Sequence, residues 1–229
     1  MKVFFSLIKK ETFENIRTKK LLAMTVLFLL IGLISPLTAK LMPLILEPFL
    51  ANLAENTLIR IKNPTGIDSW MQFFKNINQL GMFGLVLLYG NQVANEFQKR
   101  TLINLLSKGL ARFQVVLSKW AFGILMWTLA YSLCFTLTFI YTGYFFENTF
   151  PLKNVLMAAL LPYIFGVFLI SVEILGGIIC GNVIGTLIFV AGNIIIQYIL
   201  SLKNEITRFL PVFLISKPIN LIKNIEADT

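Results

Sequence analysis

Histidine is absent from the 229 residues, charged side chains make up only 14% of them, and cysteine occurs twice. Without an imidazole there is no Ser-His or Cys-His nucleophilic pair, no zinc site with imidazole ligands and no haem held by an axial histidine. A soluble domain of this length covers its core with about a quarter charged residues. At 57% hydrophobic, with a mean hydropathy of +0.79, ordinary soluble folds are excluded. Cys134 and Cys180 sit inside apolar runs without Cys-x-x-Cys spacing and read as small buried hydrophobes, not as a disulfide or metal pair. The composition therefore implies an all-α, polytopic membrane protein.

Twenty basic residues against eleven acidic ones give a net charge of +9. Lys2, Lys9, Lys10, Arg17, Lys19 and Lys20 precede the first apolar run, and Lys99, Arg100, Lys108, Arg112 and Lys119 fill one later loop. Charge placed beside apolar runs sets membrane topology. A nucleic-acid surface would need a basic face on a folded polar domain, and no segment is polar enough to build one.

A span requires roughly 20 apolar residues to cross about 30 Å of hydrocarbon. Five such stretches are expected, at about 21–39, 77–94, 120–145, 154–175 and 183–202. Pro36 lies near the far end of the first, and its long basic flank without an A-x-A site argues against a cleaved signal. Trp120 and Trp127 stand near one end of the third span, with Tyr141 and Tyr144 near the other, like interfacial belts. Between Lys153 and Lys203 the only charge is Glu173, and the stretch is long enough for two helices. The turn between them fits best at Gly176–Asn182, whose glycines and asparagine favour turns; Ser171–Glu173 is the rival. From 203 to 229 the chain becomes a polar, proline-broken tail, with Phe209–Ile215 too short to cross and read as interfacial or loop. The basic residues place the amino terminus in the cytoplasm of a cell-membrane protein, with loops 40–76 and 146–153 outside.

On a helical wheel, Lys2, Ser6, Lys9, Lys10 and Arg17 share one arc of residues 1–20, while Phe4, Phe5, Ile8 and Ile16 gather opposite; Glu11 and Phe13 fit neither. This is an amphipathic helix lying on the membrane surface. In the loop 97–119, Leu102, Leu105 and Leu106 have helical spacing flanked by charge, and Gly109 is placed to stop the helix. Such a helix docks either on lipid or on a protein partner. Glu173, near the inner end of the fourth span, is the one acid in the membrane-like stretch and is read either as a candidate for ion or substrate coupling or as a side chain that reaches the headgroups. Gly177, Gly181 and Gly185 form a small-x-x-x-small ladder suited to close helix packing, the first two also belonging to the expected turn.

The surface helix followed by a span, and then the order Glu96, Thr101-Leu102, Leu105-Leu106-Ser107, Arg112 and Lys119, resembles the ABC-2 type permeases. These are the membrane subunits of ABC transporters in the bacitracin-resistance, lantibiotic-immunity and sodium-export group. The resemblance implies that a helix in the loop docks on a separate ATPase subunit through Glu96, Lys99, Arg100, Thr101, Leu102, Leu105, Leu106, Ser107 and Arg112. It also implies a second permease copy or related permease, and ATP-Mg bound in the partner. This chain has no Gly-x-x-x-x-Gly-Lys-Ser/Thr motif with which to bind nucleotide itself. Arg100 stands where the family usually has Gly, and Gly109 where it often has Pro. Family members typically have six spans, so the tail would correspond to the external segment before a sixth. A membrane enzyme would need clustered acids or a Ser/Lys pair at depth, for which Glu173 alone is too little. The remaining alternative is an ATP-independent carrier or immunity protein binding a peptide or lipid.

Overall fold

The computed structural model describes residues 2–53, 63–98, 111–146, 152–203, 207 and 209–228. Among the described residues there are helices and no strand. In chain order they are α1 (Lys2–Arg17), α2 (Lys20–Leu53), α3 (Gly66–Asn76), a π-helical turn (Ile77–Gly81), α4 (Met82–Tyr89), α5 (Asn91–Gln98), α6 (Arg112–Phe145), α7 (Leu152–Cys180), α8 (Val183–Ser201) and α9 (Phe213–Asp228). Four of these, α2, α6, α7 and α8, are long and apolar enough to cross a membrane. The protein is a polytopic α-helical membrane protein.

The break between α1 and α2 is made at Lys19, a non-glycine residue at φ 57°. A left-handed residue cannot continue either helix and costs about 1–2 kcal/mol. The Thr18 hydroxyl offsets part of that by donating to the Glu14 carbonyl at 2.8 Å, closing the last turn of α1.

Helix α2 runs through Pro36 to Leu53, beyond the sequence expectation of a span ending at residue 39. A proline has no N–H, so its ring leaves the carbonyl four residues back without an intrahelical donor. That carbonyl belongs to Gly32, and the buried Thr138 hydroxyl on α6 lies 3.2 Å from it, sharing its single proton between this carbonyl and that of Cys134 in its own helix at 3.0 Å. Lipid cannot supply such a bond, so a neighbouring helix must. The helices can meet this closely because Gly32 has no side chain: a Cβ there would lie 2.9 Å from the Cys134 carbonyl oxygen.

The stretch 66–76, expected from sequence to belong to an outer loop, is a helix buried in the core of the fold. Trp70, Phe73, Phe74 and Ile77 are 0% exposed. Their i, i+3, i+4, i+7 spacing gives α3 one apolar face. Asp68 starts the helix by accepting from the Thr65 backbone N–H at 2.8 Å and its hydroxyl at 3.0 Å. Trp70 packs on Phe135 at 5.2 Å, and Phe73 meets Tyr131 at 6.1 Å between ring centroids. Trp127 continues the aromatic core between Phe28 and Tyr131, and Gly166 on α7 leaves room for its indole, which a Cβ would strike.

The span expected at 77–94 is a composite. Its backbone remains right-handed helical from α3 through the π turn and α4 to Gly90 (φ −56°, ψ −20°), and α5 follows at once. The wider π turn rotates the faces before and after it. It places the Asn78 amide where it donates to the Ile215 carbonyl at 2.9 Å.

Between α7 and α8 the chain reverses in two residues. Gly181 takes φ +63°, a conformation that favours glycine, and Asn182 caps α8 by accepting from the Gly185 N–H at 2.5 Å. Ser171–Glu173 lies well inside α7. The polar stretch after residue 203 contains a helix, α9, packed against α7 and α3. Pro211 precedes its first turn, where a missing N–H costs little, and the Val212 N–H donates to Gln197 on α8 at 3.1 Å. Hydropathy alone reads this segment as a tail because Lys217 and Lys223 interrupt it, but burial of Val212 and part-burial of Leu214, Ile215 and Ile219 hold it on the bundle.

Candidate functional site at the junction of α1, α5 and α6

Four charged side chains from three helices converge where α1 crosses the ends of α5 and α6. Glu11, Glu96 and Lys119 are 4%, 5% and 2% exposed, values rare for charged residues unless they are paired. The Lys119 ammonium donates to Glu11 at 2.8 Å and lies 3.1 Å from the second oxygen of Glu96. Lys10 donates to the first oxygen of Glu96 at 2.7 Å, and stands 3.8 Å from both Glu11 and the half-exposed Glu14. Two ammonium groups thus face two buried carboxylates, and the cluster is close to neutral.

Neutral groups frame the charges. Gln92 on α5 donates to Asn15 at 2.6 Å, and Asn15 donates to the Glu11 carbonyl at 2.8 Å. The Tyr89 hydroxyl donates to the Lys119 carbonyl, its ring seated on Gly123, where any Cβ would collide with it. Every link joins two of the helices or braces one that does.

Glu96 lies beyond the apolar run that ends at Ala94. Burial pushes its carboxyl up, but the Lys119 charge and the Lys10 hydrogen bond outweigh burial and hold it below its ordinary range. For Lys10, burial works downward and is outweighed by the hydrogen bond and charge of Glu96, with Glu11 and Glu14 adding, so its ammonium is held above the ordinary lysine range. The carboxylates of Glu11, Glu14 and Glu96 come within 4.8 Å of one another, a spacing that suits a cation. The two lysine ammonium groups already meet that need. The site offers no nucleophile beside a base; what it does chemically is to clamp.

Of the residues singled out from sequence, Glu96 and Lys10 are in the cluster, and Arg112 starts α6 exposed to the surroundings. Lys99, Arg100, Thr101, Leu102, Leu105, Leu106 and Ser107 lie outside the described residues. Lys2 opens α1; Lys9, Phe5 and Arg17 are exposed, and Phe4 and Ile8 are half-buried. The arc of α1 that packs on protein carries Leu7, Glu11 and Asn15, while Phe5, Phe13 and Ile16 point outward. Glu11, a misfit on the wheel, is thus the central acid of the site. An acid that breaks an otherwise basic helix was the available signal, and its partner was unreadable because Lys119 is 108 residues away. Glu173 is buried in α7 and takes part in none of the hydrogen bonds or ion pairs of the cluster. Gly177 is buried near the end of α7, while Gly181 and Gly185 form the turn and the capped start of α8.

No family model matches the chain, and no solved structure matches it. The chain is similar to the uncharacterized transmembrane protein YxlG of Bacillus subtilis (strain 168), at 26% identity over 148 residues. The matched region is 65% of this chain and 57% of that relative, so the chain spans less than two thirds of the relative's length.

Proposed function

We propose that the chain is the permease subunit of an ABC exporter, set in the cell membrane with its amino terminus in the cytoplasm. The observation that carries this reading is the buried clamp of Lys10, Glu11, Glu96 and Lys119. It fixes the surface helix α1 to α5 and α6, the two helices that flank residues 99–110. A push delivered to that loop by an ATPase would therefore act on a frame of three helices at once and tilt the spans as rigid bodies. The resemblance of the Glu96–Lys119 stretch to ABC-2 permeases supports the same reading. ATP-Mg binds in the partner, and a second permease copy or a related permease completes the pathway. Antimicrobial peptides, other amphipathic molecules or ions are the substrate classes that fit.

The test is co-purification of the full chain with an ABC ATPase, sought first among the genes next to its own, followed by ATPase measurements across candidate peptides; the lack of such a gene favours the ATP-independent carrier. Deleting residues 99–110 is expected to abolish co-purification while leaving the chain in the membrane. Retained binding overturns the docking assignment.

A further inference from the structure

Glu173 is 1% exposed, and neither carboxyl oxygen has a hydrogen-bond partner among the described residues. It sits where three helical segments meet. Its carboxyl carbon lies 3.8 Å from the position a Cβ on Gly90 would take, and a Leu187 methyl lies 3.7 Å from that same point. The carboxyl thus lies beside the main chain between α4 and α5, and Leu187 of α8 lies beside the same point.

An ionised carboxylate left alone in such surroundings is strongly disfavoured, and membrane proteins retain acids at depth for use. A metal ion would relieve the charge only with several oxygen ligands. The described neighbours offer few. Gly90 and Leu187 present no side-chain oxygen, the Val86 carbonyl accepts from the Gly90 N–H at 3.0 Å, and the Tyr89 hydroxyl is turned to the Lys119 carbonyl. A proton needs no such shell.

The groups around it bear on the same choice. Tyr89, the titratable side chain next to Gly90 in the sequence, ends α4 with its hydroxyl committed to the Lys119 carbonyl. From α6, Lys119 is committed to Glu11 and Glu96, and Trp120 donates to Ser171 at 3.0 Å. From α5, Glu96 is held by the two lysines, and α8 contributes Leu187. No described cation is therefore aimed at Glu173.

We propose that Glu173 is an intramembrane proton-binding site, neutral while α4, α7 and α8 are closed around it and releasing its proton when these helices part and admit water. On release the carboxylic O–H bond breaks, its electron pair remains on the carboxylate, and the proton passes to an entering water; closure reverses the transfer. The site would tie helix opening to uptake and release of one proton. It does not rest on the ABC reading and needs no ATPase.

Infrared spectroscopy of the full chain in lipid nanodiscs, titrated from acid to alkaline pH, tests this directly. The expected result is a deuterium-sensitive carbonyl band of a protonated carboxyl that persists at neutral pH in the wild type and is missing in Glu173→Gln and in Glu173→Met. A wild-type spectrum with every carboxyl ionised at neutral pH overturns the proposal without any variant. So does a band that survives in Glu173→Gln.

Discussion

Among the described residues, two sites bury carboxylates almost completely, and they do so by opposite means. At the junction of α1, α5 and α6, Glu11 and Glu96 are surrounded by Lys10 and Lys119, so each ion's lost hydration is replaced by a counter-ion and hydrogen bonds. In α7, Glu173 has neither. Buried ion pairs seldom add much net stability, yet removing one partner leaves an uncompensated charge and is costly. The first site is thus brittle to single substitutions and tolerant of concerted ones, while the second is tolerant of a neutral replacement of similar volume.

The largest effect is expected for Lys119→Met, which takes from Glu11 its hydrogen-bonded cation and leaves two buried carboxylates to share Lys10 alone. A loss of about 3–5 kcal/mol is expected, measured by denaturant-induced unfolding in detergent micelles. Adding Glu11→Gln and Glu96→Gln to that variant should return most of the loss. If the triple variant is no more stable than the single one, the clamp is not the electrostatic unit described above.

Acid should break the same site from the other direction. Glu96 is held below its ordinary value of 4.5, so its contribution is present above that value and disappears as pH falls through the lowered one. Lys10 is held above its ordinary 10.5, so its contribution is whole below that value and fades as pH rises through the raised one. Detachment of α1, followed by proteolysis near Thr18 and Lys19, should be least between those limits and rise first on the acid side. A Glu96→Gln variant whose acid response matches the wild type would contradict this.

A neutral version of the comparison is found at Pro36, whose orphaned Gly32 carbonyl is met by Thr138. Thr138→Val should cost about 0.5–1.5 kcal/mol, and much less in a Pro36→Ala background, where the helix supplies its own donor. A double-mutant cycle by micellar unfolding measures the coupling. The smallest effect is expected at Glu173: replacement by Met should leave stability at neutral pH within about 0.5 kcal/mol or raise it, since no partner is stranded. A loss as large as that of Lys119→Met would place Glu173 in the first class of site.

The two sites were unequally legible in the sequence. Glu173 stood out at once, because one charge in nearly fifty apolar residues needs no partner to be noticed. The clamp was legible only in parts: Glu96, Lys10 and Lys119 are visible as charges near apolar runs, but their convergence depends on how α1 crosses α5 and α6, which no local pattern encodes. The long helices α2, α6, α7 and α8 follow from hydropathy alone. Helix α3 was missed because Asp68, Gln72 and Lys75 interrupt the apolar count, although Trp70, Phe73, Phe74 and Ile77 carry the helical period in full view. Helix α9 was missed for a related reason, its apolar residues being held by Gln197 and Asn78 from distant spans.

The bond from Thr138 to Gly32 also bears on how the chain is made. Thr138 lies 106 residues downstream, so α2 enters the bilayer with an open carbonyl that is closed only after α6 has been synthesised and has found it. Until then the first span is a provisional occupant of the membrane, and the ribosome must deliver the helix that makes its place permanent.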